Sequence, residues 1–227
     1  MKKIVVFTGA GISAESGIKT FRDGGGLWEE HDVHEVATPE GWKKNPALVL
    51  NFYNQRRKQV LEASPNAAHR ALVELELRYH VHIITQNIDD LHERAGSKKV
   101  LHLHGELLKS RSSVDSALTY KIDGWQLSLG DKCTKGSQLR PDVVWFGEAV
   151  PNMTLAYELV SAADMLIVIG TSLNVYPAAG LLEYAEESIP KYLIDPDLEK
   201  VNGVENLTIL NEKAGTGVPA LVKKLLS

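Results

Sequence analysis

Two histidines one residue apart are the first candidates for chemistry. In Val100-Leu101-His102-Leu103-His104-Gly105, an extended chain turns Leu101 and Leu103 one way and His102 and His104 the other. An imidazole gains or loses a proton near neutral pH, so His104, at the carboxyl end of such a strand, is placed to act as a general base. A satisfied or solvated imidazole accounts for His31, His34, His69, His80 and His82. His102 and His104 lack the third ligand that a metal pair needs.

Gly9-Ala10-Gly11-Ile12-Ser13-Ala14 follows the apolar run Ile4–Phe7. Glycines there let the backbone approach a pyrophosphate, although a tight strand-to-helix turn without ligand explains them equally well. An ordinary dehydrogenase wants an acidic residue ~20 positions on, at the end of a second strand. Here that region is glycine-rich, with Glu29 and Glu30 after it, so the dehydrogenase reading is poor. Gly11-Ile12-Ser13-Ala14-Glu15 lacks the last glycine of a nucleophile elbow, which disfavours a serine hydrolase. Asn87-Ile88-Asp89-Asp90 reads as a helix N-cap with carboxylates favoured by the helix dipole. Tyr53 and Arg56 lie three apart in a helical stretch and share a face. A phenol and a guanidinium together grip a carboxylate through charge-assisted bonds worth ~1.5–3 kcal/mol each. From spacing alone, a solvated helical arginine beside a partly buried tyrosine is the simpler account.

The elements that position these residues follow from hydrophobic patterning. Ile4–Phe7, Val81–Ile84, Met165–Ile169 and Tyr192–Ile194 are continuous apolar runs, as in strands buried on both faces of a parallel sheet. Residues 66–77 predict a helix capped by Asn66, with Ala67, Ala68, Ala71, Leu72 and Leu75 as its apolar stripe. Further helices are expected at 152–162, 177–187 and 218–226. This alternation predicts a doubly wound α/β fold with a parallel sheet. Residues 20–63 and 106–139 break the rhythm and read as insertions beside the sheet. Val143-Val144-Trp145-Phe146-Gly147-Glu148 reads as an apolar strand edge ending in a turn, with Val143 and Trp145 in the core.

The chain has 227 residues, 44% of them hydrophobic, enough for one large domain spanning 1–227. A formal net charge of -4 leaves no cationic surplus to neutralise phosphates, so neither nucleic acid nor anionic membrane is an expected partner. No apolar run approaches the ~18 residues of a membrane span. A soluble, cytoplasmic protein is expected, and nothing indicates an obligate assembly, so it should be a monomer. Cys133 is the only cysteine, which excludes internal disulfides and a cysteine-based zinc ribbon.

Five segments in order resemble the sirtuins, the NAD-dependent protein deacylases. They are Gly9–Ile18 with Thr20-Phe21-Arg22-Asp23, Thr85-Gln86-Asn87-Ile88-Asp89-Asp90-Leu91-His92, His104-Gly105-Glu106-Leu107, Arg140–Glu148, and Gly170-Thr171-Ser172-Leu173 with Val175-Tyr176-Pro177. The resemblance implies a Rossmann-like NAD-binding core with a small inserted lobe. It makes His104 the general base that deprotonates a ribose hydroxyl, with nicotinamide and an O-acyl-ADP-ribose as products, and it gives Asn87 a part in catalysis. It assigns Gly9, Ala10, Gly11, Ile12 and Ser13 to the cofactor, with Gln86, Asn87, Ile88 and Asp89 at the nicotinamide ribose. Phe21 then shields the reactive ribose face and Arg22 supports the cofactor loop. Gly170, Thr171 and Ser172 complete the cofactor cleft, with Asp195 at the adenosine ribose and Ala214 beside the adenine. Val143, Val144, Phe146 and Gly147 are implied to pair with an extended acyl-lysine peptide. A Tyr-x-x-Arg pair at Tyr53 and Arg56, with the small Ala37, is similar to the desuccinylase and demalonylase class, so succinyl and malonyl removal is expected alongside deacetylation.

The chain departs from the family pattern in two places. Most sirtuins hold a structural zinc with two Cys-x-x-Cys pairs, and 106–139 offers only Cys133, with Ser112 and Asp115 near the first pair's place. No zinc is therefore expected, and this lobe should be held by packing of Leu118, Tyr120, Ile122, Trp125 and Leu127. The other insertion, about 23–63, is expected to be helical and to form the acyl pocket. Asp195 stands where asparagine is usual, and a carboxylate can still accept from ribose hydroxyls. A sirtuin-like ADP-ribosyltransferase or NAD glycohydrolase, and a silent NAD-sensing module, are the competing expectations.

Overall fold

A computed structural model describes residues 1–19, 27–28, 31–171, 178–197 and 203–227. The chain opens with β1 (Lys3–Thr8) and the short α1 (Gly11–Ala14), then the ribbon β2 (Leu27–Trp28) and β3 (His31–Asp32). Four helices follow, α2 (Val33–Val36), α3 (Pro39–Lys44), α4 (Pro46–Glu62) and α5 (Ala67–Leu75), and then β4 (His80–Thr85), α6 (Leu91–Ala95) and β5 (Val100–His102). The inserted lobe carries β6 (Gly105–Ser112), β7 (Thr119–Lys121) and β8 (Leu139–Val143). The chain returns through α7 (Met153–Ser161), β9 (Met165–Ile169) and a 3-10 turn (Ala178–Tyr184). It ends with β10 (Lys191–Ile194), β11 (Leu207–Leu210) and α8 (Ala214–Leu226).

The main sheet runs β11-β10-β9-β1-β4-β5, and the pairings along it are parallel. Its strands alternate between two cores. Ile4 and Val6 of β1, with Ile167 and Ile169 of β9, face α5 and α8. Val5 and Phe7, with Leu166 and Val168, face α7 and the 3-10 turn. A continuous apolar run is what such two-sided burial demands. The order reverses beside β1: the chain first winds out to β4 and β5, then returns to β9 on the other side. This makes the carboxyl ends of β1 and β9 the switch point, outside which doubly wound sheets bind ligands.

Several elements differ from the sequence reading, each for a tertiary reason. Ala67 is exposed, and the buried His69 takes its place on the inner face of α5. Asn66 does cap this helix, accepting from Ala68 N at 2.9 Å, while His69 Nδ1 accepts from Asn66 N at 3.3 Å. Helix α8 begins at Ala214 rather than 218, ahead of Pro219, because the Glu15 carboxylate accepts from Gly215 N at 2.7 Å and caps it from across the fold. The stretch expected as a helix over 177–187 is the tighter 3-10 turn over Ala178–Tyr184. Strand β11 is partly exposed and carries no pattern of its own.

The lobe forms a three-stranded antiparallel sheet, β7-β6-β8, over a small core of Leu50, Ile122, Leu127, Cys133 and Leu139, with Leu118 and Tyr120 partly buried against it. Trp125 does not belong to that core. It is exposed, and the Lys58 ammonium sits 3.6 Å from its ring centroid. Ser137 Oγ lies 2.9 Å from Ser112 Oγ and 3.1 Å from Cys133 Sγ, and these hydroxyls pull the thiol down to about 7. Asp115 turns away to Lys135 Nζ at 2.7 Å. One thiolate and two hydroxyls do not fit tetrahedral zinc, and no group of three or more metal-binding side chains occurs among the described residues. Dialysis against a strong chelator is expected to leave the denaturation midpoint unchanged. Ser137→Ala, which breaks both contacts, is expected to lower stability by about 1 kcal/mol in urea unfolding.

Candidate active site

The cleft at the sheet's switch point is built from backbones in close contact. Gly11 N donates to Gly170 O at 2.9 Å, and Gly9 N to Ile169 O at 2.9 Å. Gly170 has a φ of +62°, and a Cβ there would lie 2.4 Å from Ile12 N. Only glycine allows the two turns to meet. Ile12 is fully buried beneath them, whereas Ala10 is half-buried at the turn itself. Thr171 and Gln86 line the same region, with Gln86 Nε2 donating to Thr171 Oγ1 at 3.4 Å.

The loop after β4 is fastened from below. Thr8 Oγ1 donates to Thr85 Oγ1 at 2.8 Å, which in turn accepts from Asn87 N at 3.0 Å. Asn87 Nδ2 donates to Ser13 Oγ at 3.1 Å, and Ser13 Oγ donates to Asp89 Oδ2 at 3.0 Å. Asp89 is buried, and burial raises its pKa despite the Leu91 N–H and Ser13 hydroxyl that it accepts from. Within this segment the side-chain cap of α6 comes from Asp89, whose Oδ1 accepts from Leu91 N at 3.1 Å. The Asp90 side chain gives α6 no cap and stands 3.6 Å from Arg94 instead. Ile88 is half-buried, and its carbonyl accepts from Leu107 N at 2.8 Å.

Both histidines point at this loop, as strand alternation requires. His102 Nδ1 donates to Asn87 O at 2.9 Å and its Nε2 lies 2.8 Å from Glu93 Oε1. Burial opposes its charge, but the Glu93 carboxylate and the Asn87 carbonyl outweigh it and raise the pKa. His104 Nδ1 donates to Gln86 O at 3.0 Å. A carbonyl only accepts, so Nδ1 carries the proton and Nε2 keeps its lone pair. Burial lowers the His104 pKa, with the Gln86 carbonyl pulling weakly the other way. Gly105 follows with a φ of +82°, and a Cβ there would lie 2.1 Å from Asp142 O, so this turn also needs glycine.

The segment Val143–Gly147 and the helical insertion meet at Phe146 and Ala37. Val144 N donates to His104 O at 2.9 Å, and Phe146 N to Ala37 O at 3.0 Å. Phe146 is half-exposed and Gly147 exposed, while Val143 is buried. Ala37, Tyr53, Val143 and Trp145 share one apolar cluster. Tyr53 is fully buried and accepts from Trp145 Nε1 at 3.1 Å. Arg56 is buried too, its guanidinium 5.7 Å from the Phe52 ring centroid. Burial drives the Tyr53 pKa far above its ordinary value, so the phenol stays protonated. The solvated-arginine account of this pair is therefore excluded.

Residues 9–177 match the Sir2 family model. The chain is 57% identical to an NAD-dependent protein deacylase of Helicobacter pylori, the match covering 100% of this chain and 98% of the relative. It is 52% identical to a protein of the same name from Bacteroides thetaiotaomicron, over 100% and 99% of the two chains. A solved structure described as a Sir2 homolog–NAD complex superposes with a TM-score of 0.88 at 41% identity, covering 100% of this chain and 91% of the other. The chain belongs to the Sir2 family.

In this sirtuin, Asp195 is buried at the end of β10 and accepts from Asp197 N at 3.0 Å, and Ala214 is buried at the start of α8. Phe21, Arg22 and Ser172 lie outside the described residues. Sequence reasoning missed the buried support under the loop: Thr8, Thr85 and His92, whose Nε2 is 3.1 Å from Thr8 Oγ1. It also missed Glu15 as the cap of α8. None of these has a signal in spacing, since each partner comes from a distant segment. If His104 accepts the proton, kcat/KM rises with pH through a pKa below 6.5 and is flat at neutrality, because the neutral base persists to lower pH. His104→Ala should abolish turnover and leave the circular dichroism spectrum unchanged. A retained acid limb in that variant's residual activity would exclude His104 as the base.

Proposed function

We propose that this NAD-dependent protein deacylase removes negatively charged acyl groups, succinyl and malonyl, from protein lysines in preference to acetyl. The observation that carries the reading is the burial of Tyr53 and Arg56 on one face of α4, Tyr53 lying in the cluster that also holds Ala37, Val143 and Trp145. A phenol kept protonated and a buried guanidinium make a donor pair suited to a carboxylate, and such charge-assisted bonds are strongest where water is excluded. Ala37 leaves room for a longer chain than acetyl.

Bound NAD supplies a ribose carbon with nicotinamide as its leaving group. The glycine turns at Gly9–Gly11 and Gly170 let backbone close on the cofactor's diphosphate. Asn87, Ser13 and Asp89 fix the loop that faces the nicotinamide ribose. His104 Nε2 takes the proton from a ribose hydroxyl, and the Gln86 carbonyl holds its ring in the accepting tautomer and stabilises the cation that results. The half-exposed Phe146 and the exposed Gly147 line the cleft that an extended acyl-lysine peptide enters. The Sir2 family match and the deacylase names of relatives support this assignment over an ADP-ribosyltransferase. No helix among the described residues is long and apolar enough to cross a membrane.

The test is a kinetic comparison on matched succinyl- and acetyl-lysine peptides with NAD. Arg56→Met should lower kcat/KM for the succinyl peptide by about tenfold or more, the loss of one charge-assisted contact, and leave the acetyl peptide within about twofold. Equal losses on both peptides would remove the case for an anionic pocket.

A further inference from the structure

The Tyr53 phenol is held from behind by an indole. Trp145 Nε1 is 3.1 Å from Tyr53 Oη, and an indole N–H can only donate. Trp145 therefore occupies an acceptor lone pair of the phenol, and the phenol's own proton must be given to some other acceptor. The indole itself cannot swing. The Arg140 guanidinium lies 3.3 Å from its ring centroid, and Trp42 lies 5.8 Å away, ring to ring. Arg140 is in turn fixed to Glu148 by contacts of 2.7 and 3.0 Å and donates to Val143 O at 2.9 Å. Trp145 N donates to Glu148 Oε2 at 2.8 Å, and Arg111 Nη2 reaches the same oxygen at 2.9 Å. Glu148 is held ionised: burial raises its pKa, but Arg140, the Trp145 N–H and Arg111 together bring it below the ordinary value.

We infer that Trp145 is a positioning residue for acyl-group selection, whose N–H fixes the rotor of the Tyr53 phenol so that the phenol proton is aimed at the distal carboxylate of the acyl chain. The inference rests on the acidic-acyl reading and names what makes that pocket selective. It adds a connection: the indole sits inside Val143–Gly147, so the segment facing the peptide and the side chain facing the acyl end are one rigid piece. A phenol free to rotate would spend part of its time donating elsewhere. A fixed one meets the carboxylate without that entropic loss.

Trp145→Phe keeps an aromatic face for Arg140 and removes the N–H. The expected result is a KM for the succinyl peptide raised about five- to tenfold, with kcat, the acetyl-peptide constants and the KM for NAD within about twofold. In a Tyr53→Phe background the same change should have no further effect on the succinyl peptide, because no phenol remains to be aimed. Incorporating benzothienylalanine at 145, which keeps the indole shape and drops the donor, should reproduce the phenylalanine result, and it tests the same point if Trp145→Phe fails to fold. Equal losses on succinyl and acetyl peptides, or an undiminished loss in the Tyr53→Phe background, would overturn the inference. If Arg56→Met is selective and neither change at 145 is, the positioning role alone is wrong. If Arg56→Met is unselective, the anionic pocket and its positioning residue fall together.

Discussion

The hydrogen bond from His104 Nδ1 to the Gln86 carbonyl ties the proposed base to the loop proposed to face the cofactor's ribose. Its energy is modest, about 1 kcal/mol as such bonds usually contribute. Its geometric consequence is larger. It fixes which nitrogen bears the proton, and it sets the distance between the base and the β4 loop at one bond length. Both partners leave adjacent parallel strands, β4 and β5, at their carboxyl ends, so the sheet register delivers them together: Thr85 pairs with His102, and the next residues of each strand step into the cleft. A register slip of one residue would turn His104 to the opposite side, where Leu103 packs against Phe7 and Ile84. The proposed catalytic arrangement is thus a property of the sheet before it is a property of any side chain.

Holding that loop requires polar groups in places where polarity is costly. Thr8, Thr85, His92, Asn87, Ser13 and Asp89 are all buried, and each makes a hydrogen bond to another member of the set, with His92 Nδ1 left without a partner among the described residues. Burial lowers the His69 pKa to about 4 and takes that of the adjoining His92 well below its ordinary value, so this T-shaped pair, 4.9 Å between centroids, is neutral. His102, by contrast, has its charge favoured by Glu93. The two environments divide the work. The neutral pair supports the loop's underside without placing charge beneath Asp89, and the ion pair grips the Asn87 carbonyl from the side.

How much of this could be read from the chain depends on whether a feature is periodic or pairwise. The strands of the main sheet were legible because burial on both faces leaves unbroken apolar runs, and His104 was legible because alternation sends it opposite Leu103. The glycines at 9 and 11 marked a turn, although the reason they must be glycine is the backbone of residue 170, far away in sequence. Partners that meet only after folding left no trace: Glu15 with Gly215, Thr8 with His92, and Trp145 with Tyr53. The exposed Trp125 shows the converse error. Its type suggested core, but it stays at the surface, where the Lys58 ammonium sits over its ring.

Helix α4 joins the lobe to the Tyr53–Arg56 pair. Tyr53 and Arg56 lie on one stripe, and Asn54 and Arg57 on the next, about 100° around the axis. The second stripe is the anchor. Asn54 exchanges two hydrogen bonds with the Leu127 backbone, at 3.0 and 2.9 Å, and Arg57 donates to Leu107 O at 2.7 Å and to Trp125 O at 2.6 Å. These bonds fasten the helix to the lobe that has no fitting zinc ligands. A helix is stiff over so short a span, so fixing Asn54 and Arg57 fixes the rotation of Tyr53 and Arg56 as well. The lobe in this protein therefore does more than cover one side of the cleft. By taking hold of α4 through backbone carbonyls rather than through a metal-bound loop, it sets the rotation of the Tyr53 and Arg56 side chains, the donor pair proposed for the acyl chain.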